Sequence, residues 1–407
     1  MKILIAHNYY QQAGGERAVF EQERQILERA GHKVIAFVRR NEEIVDYGAW
    51  LKLTLGLRTI WAWDSYRELL ALLRREKPDV AHFHNTFPLI SPAAYYACRE
   101  AGVPVVQTLH NYRLLCPAAI YYRDGKVCED CTEHSLWQGL WHACYRGSAT
   151  ATAATALALA VHRRLGTWTK MVDCYIALTE FSRRKFIEGG LPGEKIFVKP
   201  NFVCPDPGGP IDHGQYALFV GRLSPEKRVL TVLAAWRLLH HDIPLLIIGG
   251  GPQLAEVETK VARLALHSVH VKGSWGRQQT LAAMHRARFL VFASEWYENF
   301  PMAIVEAFAC GVPVVASRLG AMREIMQDGV TGLHFEAGKI TDLAAKVEWA
   351  WAHPEEMAAM GTAARAEYEA KYTPERNYEQ LMEIYRRAIG TSAERVGART
   401  TLSRATA

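Results

Sequence analysis

The chain has 407 residues, 49% of them hydrophobic and 22% charged, which is enough apolar material for more than one core and excludes gross disorder. At roughly 150 residues per domain, the length calls for two or three domains. A net charge of +6, from 48 Lys and Arg against 42 Asp and Glu, is compatible with anionic partners and too weak to argue for nucleic acid.

The N-terminus carries one Lys and a brief apolar run, Ile3–Ala6, before His7 and Asn8, which reads as a buried first strand and not as a secretory signal. The longest stretch without Asp, Glu, Lys or Arg, Val80–Cys98, contains His82, His84, Asn85, Pro88 and Pro92 and makes a poor spanning helix. A cytoplasmic protein is the expectation. After the first strand come a Gly-bearing loop, a helix-period stretch Glu16–Ala30 closed by Gly31, and a strand Val34–Val38. Val80–Phe83, Val103–Leu109, Ile176–Leu178 and Ile196–Val198 continue the rhythm. A second series follows the turn-rich segment Pro205–Gly214: Tyr216–Val220, Leu245–Ile248, Val269–Val271, Phe289–Phe292 and Pro313–Ala316.

Strands alternating with helices imply parallel sheets covered on both faces. The expected fold class is α/β, two Rossmann-like doubly wound domains at 1–200 and 201–371, with the boundary at Asn201–Gly214. A helix over 372–389 would follow, then a Ser/Thr/Arg/Ala-rich tail, 390–407, expected to be disordered. Two such domains leave a cleft at the carboxyl ends of their strands, where ligands of this architecture bind.

The densest chemistry follows the strand Phe289–Phe292: Glu298, Asn299, Phe300, Pro301, Met302, Ala303, then Glu306, Gly311 and Pro313. Pro301 suits the first helical position, where a missing N–H costs nothing, and Gly311 suits a left-handed cap. The helix start is an anion site, with two carboxylates at different depths. Glutamates eight apart are common, but this loop-Pro-helix-Gly-Pro setting is not. It resembles the signature of the family 4 retaining glycosyltransferases, which have the GT-B fold. The resemblance implies that Glu298 contacts hydroxyls of a donor sugar, that Glu306 holds the nucleotide ribose, and that Phe300–Ala303 face the diphosphate.

A second motif agrees. Tyr216–Val220 leads into Gly221, Arg222, Leu223, Ser224, Pro225, Glu226 and Lys227. A guanidinium and an ammonium at such a turn can neutralise a diphosphate leaving group, and the family places its pyrophosphate-binding Arg and Lys at positions matching Arg222 and Lys227. A solvated helix start is the plain alternative. Gly249 and Gly251 after Leu245–Ile248 would allow a nucleotide to come close, or would simply form a tight turn; Lys272 lies where the family reads the base through backbone. In the first domain Gly14 and Gly15 match a glycine loop that admits phosphate or acceptor, and His110 matches a histidine near the reacting carbon. His82 and His84 could serve the site or be hydrogen-bonded core histidines. Phe202, after Asn201, departs from the family, where Gly is frequent.

The resemblance thus implies a retaining, metal-independent hexosyltransferase. It would move a sugar from a nucleoside-diphosphate donor, UDP favoured over GDP and ADP, to a hydroxyl of a saccharide or lipid-linked saccharide, as in polysaccharide biosynthesis. No cofactor is expected for catalysis, and no Asp-x-Asp occurs to hold a metal. A GT-B epimerase or hydrolase, or a non-catalytic nucleotide-sugar-binding module, are the alternatives. The cluster Cys116, Cys128, Cys131 and Cys144, in an insert at 116–147, lies outside the family pattern. It could close a structural zinc site, stay unligated, or form disulfides. Trp137, Trp141, Tyr145 and Trp168, interleaved with Arg146, Arg163, Arg164 and Lys170, suit an anionic membrane surface or else a core with a solvated basic face.

Overall fold

The computed structural model describes residues 1–11, 15–44, 54–209 and 214–405, with side chains described up to Arg395. Chain order brings β1 (Lys2–Tyr9), β2 (Lys33–Arg40), β3 (Val80–Asn85), β4 (Val105–Thr108), a short hairpin of β5 (Tyr122–Arg123) and β6 (Lys126–Val127), then β7 (Cys174–Ala177) and β8 (Ile196–Val198). Apart from the hairpin these form one parallel sheet ordered β2-β1-β3-β4-β7-β8. Ile3, Leu4, Ile5 and Ala6 are all buried, as a central parallel strand covered on both faces requires. The helix Gly15–Arg29 turns Val19, Phe20, Glu23, Ile26 and Leu27 inward, and Gly31 follows with φ +80°.

The second sheet comprises β9 (Tyr216–Val220), β10 (Leu245–Ile248), β11 (Val269–Val271), β12 (Ala287–Phe292), β13 (Val314–Ser317) and β14 (Gly332–Phe335). Its order is β11-β10-β9-β12-β13-β14, again parallel throughout. Phe219, Phe289, Val291, Val315 and Leu333 from its strands pack with Val232, Leu233, Trp236, Leu343 and Val347 from helices into one core.

The chain divides into two compact units: 1–120, 129–200 and 377–407 in the first, 121–128 and 201–376 in the second. The expected division after residue 200 agrees, although residues 210–213 of the proposed boundary segment lie outside the described residues. Two corrections follow. The hairpin residues Tyr121–Cys128 belong to the second unit, so the 116–147 insert is not confined to the first. The segment from Gly390 is no loose tail: the helix Pro374–Ala405 runs through it. Its Tyr385 hydroxyl meets His82, Ser392 is buried and Arg395 pairs with Asp173, so tertiary contacts hold the helix as far as Arg395, into a stretch whose composition is that of a tail.

Candidate functional site

In the second unit, polar chemistry gathers where β9 and β12 end. β9 runs into Gly221, Arg222 and Leu223, then one tight turn Pro225–Lys227 and a left-handed Arg228 before the helix Val229–Trp236. The loop after β12 carries Ser294 to Pro301 into the helix Met302–Ala309. The N–H of Glu295 donates to the Glu226 carbonyl at 3.1 Å and ties the two loops together.

Glu298 is the hub of this arrangement and is 5% exposed. Its Oε1 accepts from Ser294 Oγ and Trp296 Nε1, both at 2.7 Å, and from the Lys227 ammonium. That ammonium also lies 5.3 Å from the Phe292 ring centroid and 5.5 Å from that of Trp296. Arg222 differs: it is exposed, and its guanidinium has no ion pair or hydrogen bond among the described residues. The glycines after β10 lie against the loop that follows β9. A Cβ on Gly249 (φ +158°) would stand 1.8 Å from the Gly221 carbonyl oxygen, and Leu223 N–H donates to Gly250 O at 2.8 Å. A Cβ on Gly251 would likewise meet Leu223 O at 2.4 Å. The two loops can therefore lie backbone to backbone.

Pro301 precedes the helix instead of opening it, because its ψ of 84° is not helical; Met302 is the first helical residue, with Ala303 beside it. Gly311 (φ +69°) closes the helix as expected, with Val312 N–H reaching Ala307 O at 2.8 Å. Asn299 is buried, and Phe300 packs edge-on against Tyr372, 6.0 Å between centroids. Glu306 faces Arg277 at 3.6 Å; burial pushes its carboxyl up, and Arg277 works against that shift. Lys272 is exposed and its N–H is spent on Ile247 O at 2.9 Å, so that amide is not available to read a base.

In the first unit, Gly15 begins the first helix, while Gly14 lies outside the described residues. His110 follows β4 and is half-buried, with Nε2 2.9 Å from His84 Nδ1. His82 is a hydrogen-bonded core histidine, its ring nitrogens 2.9 Å from Tyr385 Oη and 2.7 Å from Thr108 Oγ1. Cys116 and Cys131 are buried, Cys128 and Cys144 half-buried. Trp137 and Trp141 are exposed, but Trp168 is a core residue, which corrects the aromatic run expected from spacing. No described helix is long and apolar enough to cross a membrane.

Comparison with known proteins agrees with both halves of this picture. The family described as "Glycosyltransferase Family 4" matches residues 13–207, and "Glycosyl transferases group 1" matches residues 208–367. The chain belongs to the family 4 glycosyltransferases. It is 27% identical over 301 residues to 2-deoxystreptamine glucosyltransferase of Streptomyces kanamyceticus, covering 72% of this chain and 73% of that one. With the GDP-mannose-dependent alpha-mannosyltransferase of Mycolicibacterium smegmatis it shares 29% over 271 residues, covering 65% and 62%. The Anabaena protein HepE, solved in complex with UDP, superposes with a TM-score of 0.68 at 18% identity over 94% of this chain and 99% of that one. The fold is GT-B, and this glycosyltransferase carries the two Rossmann-like parallel-sheet domains of that class.

Several residues of the glycosyltransferase escape a reading of motifs. Arg228 pairs with Glu295 at 2.7 Å and donates to the Gly125 carbonyl of the hairpin, while the Tyr121 ring meets Tyr297 at 6.2 Å. Arg277, the partner of Glu306, opens the helix Arg277–Met284 with nothing in its spacing to mark it. Glu23 and Lys199 form a buried ion pair at 2.6 Å. A signal for Glu23 existed, since a carboxylate on the apolar face of an amphipathic helix demands a partner.

Proposed function

We propose that this glycosyltransferase moves a sugar, with retention at the anomeric carbon, from a nucleoside-diphosphate donor to a hydroxyl of a saccharide or lipid-linked saccharide. The observation that carries the reading is the pairing of Lys227 with Glu298 on the loops at the ends of β9 and β12, with the exposed Arg222 guanidinium unpaired among the described residues. In the proposed reaction, charge grows on the departing diphosphate as the anomeric bond breaks. Arg222 forks onto phosphate oxygens, and Lys227 leaves Glu298 to join it. Glu298, still fixed by Ser294 and Trp296, then turns its carboxylate to donor hydroxyls. Glu306 takes the ribose hydroxyls and His110 a hydroxyl of the sugar. The leaving phosphate itself accepts the acceptor's proton, so no side-chain base and no metal takes part.

One peripheral feature belongs to the same reading. Trp63, Trp137, Trp141, Leu57 and Leu165 are exposed in the first unit, and Leu165 directly follows Arg163 and Arg164, which supports contact with an anionic membrane surface. Flotation with anionic but not zwitterionic liposomes is the expected result.

The donor is tested by thermal stabilisation with UDP, GDP and ADP in turn. At one hundred times its dissociation constant a nucleotide should add about 2.7 kcal/mol, and Glu306→Ala should abolish the gain. Stabilisation by UDP alone fixes the donor class; no shift with any of the three would sink the reading.

A further inference from the structure

The hairpin of β5 and β6 interrupts the first unit's stretch of chain and folds with the second. It pairs Tyr122 with Val127 and Arg123 with Lys126, and its turn is Asp124 and Gly125, with φ +51° and +78°. A two-residue turn of this kind needs both positions left-handed, and aspartate followed by glycine supplies them. Two residues per strand are too few to stand alone in water, so the hairpin depends on what it touches. Tyr121 is 0% exposed and sets its ring edge-on to Tyr297 of the loop after β12. The Gly125 carbonyl accepts from Arg228 Nη2. Burial pushes the Tyr122 phenol up, with Arg228 opposing the shift and Glu226 and Glu295 adding to it.

Arg228 is the common partner. Its backbone is left-handed, φ +56° and ψ 34°, a conformation that glycine takes freely and that costs a residue with a Cβ. The turn by itself asks for no side chain here, and what the arginine supplies is contacts. Its Nη2 meets the Gly125 carbonyl on the hairpin and, at 2.7 Å, Glu295 Oε2 on the loop after β12. Hairpin, β9 turn and β12 loop thus meet on one guanidinium.

The need for this tie follows from how Glu298 is held. Ser294 and Trp296 bond its carboxylate but belong to the same loop, so they fix Glu298 within the loop and leave the loop itself to be placed. The loop's start is tied to β13 by Ser317 Oγ, 2.5 Å from Ser294 O, and its end packs Phe300 on Tyr372. Its middle is joined to the β9 turn by the Glu295 N–H on Glu226 O, by Lys227 on Glu298 and by Arg228 on Glu295. In the reaction proposed above, Lys227 leaves Glu298 for the departing diphosphate. Arg228 and Glu295, with side chains 29% and 14% exposed, are then the charged tie that stays.

We propose that Arg228 is a positioning residue: by pairing with Glu295 and holding the hairpin turn it keeps the loop 294–301 in place while Glu298 grips the donor sugar, which makes the hairpin at 121–128 a working part of the donor site. The effect on the sugar rests on the reading of function given above; the tie between hairpin, turn and loop does not. The sugar is the part of the donor affected, since the ribose is assigned to Glu306, whose partner is Arg277.

The test is Arg228→Gly in the full chain, which keeps the left-handed backbone and removes only the side chain. Amide hydrogen exchange read by mass spectrometry should quicken about tenfold over 121–128 and 294–301 and stay unchanged over β13. Binding is then compared between the nucleoside diphosphate that stabilises the parent (UDP, GDP or ADP) and its hexose derivative (UDP-glucose, GDP-mannose or ADP-glucose). The hexose derivative should bind the variant about tenfold more weakly than the parent, the scale of one hydrogen bond to a charged group, with the bare nucleotide unchanged. Glu295→Gln breaks the same pair from the other loop, should weaken the hexose derivative in the same way, and carries the test if Arg228→Gly does not fold. Unchanged exchange over 294–301 in a folded variant, or equal losses for nucleotide and hexose derivative, would overturn the proposal. A parent that binds none of the three nucleotides sinks the reading of function instead, and the tie is then judged by exchange alone.

Discussion

Each unit of this glycosyltransferase contains a lysine–glutamate pair, and the surroundings of the two differ. Lys199 and Glu23 have side chains 0% and 2% exposed. Lys227 keeps a fifth of its side chain exposed, at 20%, and joins two loops at strand ends. A sealed pair cannot change partners without opening the fold, so it holds positions. A pair at a loop edge, with the Arg222 guanidinium five residues earlier unpaired among the described residues, can trade its carboxylate for a phosphate. The same two residue types thus serve permanence in one unit and exchange in the other.

The sharpest way to break this comparison is to remove each ammonium. Lys199→Met should destabilise the protein by about 3–5 kcal/mol in urea unfolding, because it leaves an uncompensated buried carboxylate. Lys227→Met should cost only about 1 kcal/mol, since Glu298 keeps its bonds from Ser294 and Trp296. Equal losses would erase the distinction. Activity should reverse the contrast: Lys227→Met is expected to lower kcat by about a hundredfold or more, the scale for removing one preorganised charge stabiliser.

Arg222→Ala sharpens the exchange side. An exposed guanidinium without partners contributes little to folding, so its melting temperature should stay within a degree or so of the parent. Transfer should nevertheless fall by about tenfold to a hundredfold. A variant that melts early but turns over normally would mean that Arg222 serves structure.

The smallest effect concerns the permanence side and is read by pH. Both ring nitrogens of His7 are buried without partners, and burial, then His84 and Arg17, pushes its pKa down from 6.5 to about 3. Between those values the unfolded chain binds a proton that the folded chain refuses. Stability should therefore fall as pH drops from about 6.5 toward 3, and His7→Leu should flatten that slope. An unchanged slope would assign the acid loss to other groups.

Much of this architecture is legible from the chain alone, and particular elements show why. Tyr216–Val220 and Leu245–Ile248 are read to the residue, because strands covered on both faces are unbroken apolar runs bounded by glycine or polar breaks. Gly332–Phe335 is broken by its own glycine and by His334, and the two-residue strands of the hairpin at 122–127 are too short to show a period. The turn at Arg222 and Lys227 and the loop at Glu298 stand out by motif, while Arg277 and Arg228 do not, since each earns its place only from a partner on another element. Trp137 and Trp168 are indistinguishable as letters, yet one is 66% exposed and the other 6%.

Local rules thus account for the strands, the caps and the residue types gathered at the strand ends, because periodicity, proline and glycine act over a few bonds. The meeting of Glu23 with Lys199, 176 positions apart, arises only once the sheet brings β8 to its edge. Charge in a protein interior is settled by what lies within a few ångströms in space, and chain distance carries no information about that.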